Sequence, residues 1–166
     1  MLTGTTELAI RALILLGLSG DAKPIPPRRL AETLGCSPTY LSKTLGHLVR
    51  SGILRSTHGA HGGVVIAREP GSITLLEIVE DCQGPVLGDY CRGIRADEVA
   101  MSCRFHRVMA ELHGQVVRTL SSCTLADLLA CPAPVSRGRK RPNFGCKIEF
   151  AGIEALLESK SRGSKK

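Results

Sequence analysis

Pro26-Pro27-Arg28-Arg29-Leu30-Ala31-Glu32-Thr33-Leu34-Gly35-Cys36-Ser37-Pro38-Thr39-Tyr40-Leu41-Ser42-Lys43 holds two helix starts and one helix stop in close succession. Pro26-Pro27 suits a first helical turn and Gly35 suits a C-terminal stop, so residues 28 to 34 are predicted to be a short helix. Ser37-Pro38 opens a second helix at once. Ser37 is expected to cap it, Pro38 fills its first position, and Leu41, Leu45, Leu48 and Val49 share one apolar face before Gly52 closes it. Two short helices joined by a tight turn, the second with a polar outer face, fit the major groove of duplex DNA. Thr39, Tyr40, Ser42, Lys43, Thr44 and His47 are the candidates on that face, with Ser37 at its tip and Arg28 on the helix before it.

Downstream, Ile53-Leu54-Arg55-Ser56 and Val64-Val65-Ile66-Ala67 are two short β-prone runs. The glycine-rich stretch between them, Thr57-His58-Gly59-Ala60-His61-Gly62-Gly63, suits neither helix nor strand and predicts the tip of a hairpin. Such a wing enters a minor groove or touches phosphate, which makes Arg55, His58 and His61 further candidates. From Ala22 to Arg68 there are seven Lys or Arg against one acid, Glu32, a net +6. Neutralising phosphates is the sequence-independent part of DNA affinity, and so one-sided a segment suits it. The plainer reading is a basic, non-binding helical hairpin within another α-rich fold; turn, cap and wing together count against it.

The chain has no Trp and only 3% aromatic residues, so its core must be aliphatic. No apolar run reaches the length of a membrane span, and the start lacks the basic flank and cleavage site of a signal peptide, so a cytoplasmic location is expected. Seven cysteines, an odd number in no even framework, favour metal binding, redox sensing or simple burial over structural disulfides. The net charge of +7 is uneven: residues 1 to 135 carry +1 and residues 136 to 166 carry +6. That tail, with Arg137-Gly138-Arg139-Lys140-Arg141-Pro142 at its start, is a separate electrostatic object that either adds non-specific DNA affinity or keeps the protein in solution.

Ahead of the decisive stretch, residues 7 to 16 predict a helix that is apolar nearly all round, buried against both the helix-turn-helix and a partner subunit, with Gly17 to Lys23 as a loop. After the wing, Thr74 is expected to cap a helix from Leu75 to Asp81. A polar, glycine-containing loop bracketed by Cys91 and Cys103 then runs into a long helix. Val108, Leu112, Val116 and Leu120 form an apolar stripe there, with Met109 and Val117 beside it, enough to pair with the same helix of a second copy; packing within the chain is the alternative. Thr124 and Asp127 have capping-box spacing. Ile148 to Leu157 is a further short helical candidate.

The order Tyr40-Leu41-Ser42-Lys43-x-Leu45-x-x-Leu48-x-x-x-Gly52-Ile53-Leu54, then a glycine-rich wing, then Ile73-Thr74-Leu75-x-x-Ile78-Val79, resembles the winged-helix repressors that include the iron–sulfur biogenesis regulator IscR and the nitric-oxide sensor NsrR. The resemblance spans Thr3 to Leu129. At the wing tip, where the family usually has Arg-Gly-Pro-Gly-Gly-Gly, this chain has His58-Gly59-Ala60-His61-Gly62-Gly63; histidine for the minor-groove arginine weakens that contact near neutral pH or makes it pH-dependent. In cluster-binding members three evenly spaced cysteines hold iron, and a histidine three residues after the last can join them. Cys91 matches the first, Cys103 the third and His106 the histidine, while Asp97 stands where the middle cysteine would be. The resemblance also puts Glu7 at the position of an acidic residue that can face the partner's sensor site, although a carboxylate in a first helical turn is favoured by the helix dipole alone.

Two thiolates, one imidazole and one carboxylate suit a [2Fe–2S] cluster, in which histidine can replace cysteine on one iron. Carboxylates are hard ligands, so a mononuclear metal such as zinc, or no metal and two redox-active thiols, stay open beside the cluster. Cys36 and Cys82, at helix ends, read as packing residues. No Ser/His/Asp set, phosphate loop or metalloprotease motif occurs, so an enzyme is not expected. An adaptor that uses the winged helix for protein contact is the other class. The expected fold is therefore a mainly α chain with a small β-wing: a winged helix-turn-helix over 1–82, a sensor loop and dimerisation helix over 83–130, and a basic tail over 131–166. Its predicted role is a homodimeric regulator of transcription on double-stranded DNA, controlled through the 91–106 loop or, alternatively, a cofactor-free repressor answering a small molecule or partner protein.

Overall fold

The computed structural model describes residues 2–20, 23–59, 62–86 and 104–130. Of the candidates above, His61, Cys91, Asp97 and Cys103, with the basic tail and the 148–157 helix, lie outside them.

The elements run α1 (Gly4–Ser19), α2 (Pro27–Leu34), α3 (Pro38–Arg50), β1 (Leu54–Thr57), β2 (Gly63–Ile66), a 3-10 turn (Pro70–Ser72), α4 (Leu75–Gln83), α5 (Arg104–Ser121) and α6 (Leu125–Ala130). α1 is the hub, packing against α2, α3, α4, α6 and β2. Thr3 caps its start, the hydroxyl accepting from the Thr6 N–H, and Gly20 ends it in the left-handed region. Leu8, Ala9, Ile10 and every residue from Ala12 to Leu16 are buried within this one chain. The apolar surface predicted to meet a partner subunit is thus consumed by the chain's own elements.

α1 also continues through Gly17 to Ser19, past the predicted stop at Leu16, because tertiary packing overrides a weak local preference. A Cβ on Gly17 would come within 2.6 Å of the Leu129 methyls. The glycine lets the Leu129 side chain of α6 rest directly on α1. α6 begins with the expected capping box: the Asp127 N–H donates to the Thr124 hydroxyl at 3.2 Å, and the Thr124 N–H donates to the Asp127 carboxylate at 2.8 Å. Hydrogen bonds from the Thr124 side chain and backbone hold the Asp127 carboxyl below the usual carboxylate range. The entries to α4 and α6 pair back to back, Leu75 N–H donating to the Cys123 carbonyl and Leu125 N–H to the Ile73 carbonyl.

β1 and β2 form an antiparallel hairpin, Leu54 opposite Ile66 and Thr57 opposite Gly63. Ile25 bridges to Val64 on the far side of β2, each N–H donating to the other's carbonyl at 3.0 Å. A Cβ on Gly63 would meet the Ile25 carbonyl carbon and oxygen at 2.5 Å, so only glycine permits this close approach.

Candidate nucleic-acid interface

α2 and α3 are the predicted pair. Gly35 turns the chain between them with φ 64°, its N–H returning to α2 carbonyls. Leu41, Leu45 and Leu48 are buried against the core, and Val49 packs beside them. That leaves Thr39, Tyr40, Ser42 and Lys43 exposed on the outer face. Two expectations need correction. Thr44 is buried, since it follows Leu41 by one helical turn and so shares the inner face; its hydroxyl donates to the Tyr40 carbonyl. Ser37 occupies the cap position but makes no side-chain cap bond; it is exposed, and Pro38 has already removed one of the N–H groups that helix starts leave unpaired.

The basic groups fall into two sets. Lys43, Arg29 and Arg55 are exposed, whereas others are engaged: Arg28 with Glu32 in a wide-open i,i+4 pair, Arg50 with the His47 Nδ1 at 3.1 Å, and Arg68 with both Glu77 and the Ser72 carbonyl. The Arg28 pair is solvent-screened and costs little to open. The Arg68 pair is half-buried and ties the 3-10 turn to the start of α4. His58 is exposed on the wing beside Gly59, whose φ of 105° only glycine adopts readily, and the Gly62 N–H closes the turn onto the Gly59 carbonyl.

The hydroxyl of Tyr40 is hydrogen-bonded to Thr5 of α1 at 2.8 Å, although the residue is 42% exposed. No local spacing could have shown this, because the partners stand 35 positions apart.

Of the candidate ligands, His106 lies half-buried in the first turn of α5, edge-on to the Phe105 ring, and Glu7 lies half-buried in the first turn of α1. Among the described residues no three His, Cys, Asp or Glu side chains come together as a metal site. Cys36, Cys82 and Cys123 are free thiols that burial pushes up from the ordinary thiol range: Cys82 to about 11 with Asp81 adding to the rise, Cys123 with Asp127 adding, and Cys36 with Arg11 opposing. Raised thiols are poor nucleophiles at neutral pH, consistent with packing roles.

The predicted stripe on α5 splits in two. Leu120 is buried and Met109, Val116 and Val117 are half-buried, whereas Val108 and Leu112 are 54% and 48% exposed. Phe105, which no spacing in the sequence singled out, is 59% exposed one turn earlier on the same side. No helix among the described residues is long and apolar enough to cross a membrane.

A polar-faced second helix at the surface, a tight αL turn and a short glycine-tipped hairpin define a winged helix-turn-helix DNA-binding protein. Residues 2–131 match the family model described as Rrf2, iron-dependent transcriptional regulator, and the chain belongs to that family. It is similar to the HTH-type transcriptional regulator IscR of Citrobacter koseri, 26% identical over 128 residues that cover 77% of this chain and 78% of that one. In fold it is similar to CymR, the global cysteine regulator of B. subtilis, at 25% identity and TM-score 0.62, covering 78% of this chain and 96% of that one. It also superposes on T. potens IscR at 23% identity and TM-score 0.64, covering 84% and 93%. The family acts in transcription, not in enzymatic catalysis.

Proposed function

We propose that this chain is a cytoplasmic, homodimeric repressor that grips duplex DNA with α3 and the wing, and whose affinity is set by what Cys91 and Cys103 hold. The observation that carries the reading is the first turn of α5: the candidate ligand His106 is flanked there by Phe105 and Val108, two strongly exposed apolar side chains. One helical turn thus serves both the sensor loop and the surface that a second copy would cover. DNA contacts are assigned to Ser37, Thr39, Tyr40, Ser42, Lys43 and His47 from α3 and its cap, with Arg28, Arg55, His58 and His61 on phosphate or in the minor groove. The three parts proposed are the winged domain over 1–82, the sensor and pairing arm over 83–130, and the basic tail over 131–166.

The donor set fits an iron–sulfur cluster of the two-iron type: thiolates from Cys91 and Cys103, an imidazole from His106, and a carboxylate from Asp97 or from Glu7 of a second copy. Such a group, when bound, supplies a covalent tie that oxidation or loss can break. His106 would then fix the start of α5, and the angle of α5 would set the spacing of two winged domains on half-sites about one helical turn apart. Anaerobic reconstitution with iron and sulfide tests this directly. Visible absorbance lost in Cys91→Ala and Cys103→Ala, together with a change in affinity for a selected duplex, is expected. A colourless protein that binds DNA identically with and without iron overturns the sensing role.

A second reading has its own observation. A cleft of about 490 Å³ lies between the end of α1, the base of the wing and α6, lined by Leu16, Ile25, Ile66 and Leu129 with Lys23 and Arg68 on it. Its size suits a small, largely apolar molecule, with Glu69 also on the rim, as a cofactor-free repressor would need. Iron-independent DNA binding combined with a thermal upshift by a small organic molecule would favour it.

A further inference from the structure

The last turn of α4 is hydrogen-bonded both to the start of α1 and to the C-cap of the recognition helix. Gln83 Oε1 accepts from the Thr3 backbone N–H at 3.0 Å and from the Thr6 hydroxyl at 2.8 Å. Thr6 is wholly buried, and its single hydroxyl proton goes to Gln83, so the Thr3 hydroxyl, 3.0 Å away, is the donor between those two threonines. The adjacent Thr5 of that turn holds the Tyr40 hydroxyl at 2.8 Å. At the opposite end of α3, the Ser51 hydroxyl donates to the Asp81 carboxylate at 2.9 Å. Both ends of α3 are therefore referenced to α4, one directly through Asp81 and one through the first turn of α1.

Tyr40 is the third residue of α3, and the N-terminal residues of a recognition helix are those that reach base edges. A ring so placed would normally swing; here its hydroxyl is fixed, and the threonine turn that fixes it is itself held by the Gln83 carboxamide oxygen. Glu7 is the acidic residue of that same α1 turn.

We propose that Gln83 is a positioning residue for DNA recognition: acting through Thr3, Thr6 and Thr5, it sets where the Tyr40 ring meets the groove. The proposal deepens the reading of α3 as the groove helix and rests on it. It requires no occupant of the 91–106 loop. The link to α1 runs through the Gln83 carboxamide oxygen, so a carboxylate can keep that link and a thioether of similar length cannot. The Gln83→Glu side chain keeps both acceptor sites and adds a negative charge at the N-terminus of a 16-residue helix, where the dipole favours it, in the turn that also carries the acidic Glu7.

The test uses the full chain and a duplex that the parent chain selects from a randomised pool, with a shuffled duplex as the non-specific control. Q83M is expected to bind the selected duplex about tenfold more weakly while the shuffled duplex changes less than about twofold, and Q83E to stay within about twofold of the parent on both. Y40F is expected to give a similar loss, and the Q83M/Y40F double variant to be no worse than the weaker single, because both remove the same link. Losses that multiply, an unchanged specific-to-shuffled ratio in Q83M, or Q83E as weak as Q83M would each overturn the proposal. Should Q83M fail to fold, T5V and Y40F form the cycle instead, and a T5V loss that persists undiminished without the Tyr40 hydroxyl overturns it equally. A parent chain that selects no duplex at all sinks the groove reading itself, a different outcome from multiplying losses on a duplex that it does select.

Discussion

α1 and α5 are helices of similar length, 16 and 18 residues, on opposite terms with solvent. From Leu8 to Leu16 every apolar side chain of α1 is covered within a single chain. α5 buries only Leu120 fully and leaves Phe105, Val108 and Leu112 open. Apolar content alone does not separate them. What separates them is neighbours: α1 is enclosed by five elements, whereas α5 packs chiefly on α4 and turns its first half to water. A helix that completes its own domain and a helix left with a bare face can therefore carry equally convincing apolar patterns.

Substitutions on the two helices put that contrast to the test. The largest effect is expected inside α1: Leu13→Ala should cost about 2–5 kcal/mol of folding stability, read from denaturant midpoints, while Leu112→Ala changes the stability of the isolated subunit by no more than about 0.5 kcal/mol. Equal losses at the two sites would erase the distinction. Next, the pair Val108→Asp and Leu112→Asp should halve the sedimenting mass and lower affinity for a two-half-site duplex about 100-fold, with far-ultraviolet circular dichroism unchanged. An unaltered mass would mean that α5 pairs with nothing.

Smaller effects are expected on the DNA side. Lys43→Ala should weaken binding about three- to tenfold and make the slope of log affinity against log salt shallower by about 1. His58→Arg should tighten binding by about threefold or less, since it restores a permanent cation at a wing tip where the minor groove draws arginine. The smallest concerns Cys82. Its thiol is raised from the ordinary value of 9.0 to about 11 by burial and by Asp81, so in the folded state it keeps a proton that the unfolded chain loses. Its contribution is therefore intact below pH 9.0 and declines as pH rises from 9.0 toward 11. Cys82→Ala should flatten that alkaline slope, and alkylation of Cys82 in the folded protein should be slower than in urea.

The helix-turn-helix was legible because its signals are local. Pro27, Gly35, Pro38 and Gly52 act within one turn of themselves, the Leu41–Leu45–Leu48 spacing marks an inner face, and the Thr124–Asp127 box declares itself within one turn. What stayed hidden is long-range. Gly17 reads as a stop until Leu129 is seen resting on it, Ser37 reads as a cap although its side chain bonds to no helix N–H, and Thr44 reads as surface until the inner face is counted through it. Phe105 lies one turn ahead of the Val108–Leu120 stripe, in a span whose cysteine and histidine draw a metal reading instead. Gln83 and Thr6 stand 77 positions apart, so no window or spacing rule could connect them. The candidate ligands rest on likeness rather than on geometry, and of these only Glu7 and His106 fall among the described residues.

The Ile25–Val64 bridge bears on anyone who would transplant this wing. With Gly63 pressed against the Ile25 carbonyl, β2 is held on one side by β1 and on the other by a single bridge to the residue that precedes α2. A graft of residues 54 to 66 into another winged-helix regulator would arrive with one raw edge and an empty seat where Ile25 had been. The transferable cassette must begin ahead of α2, so the wing and the helix pair are inherited as one block.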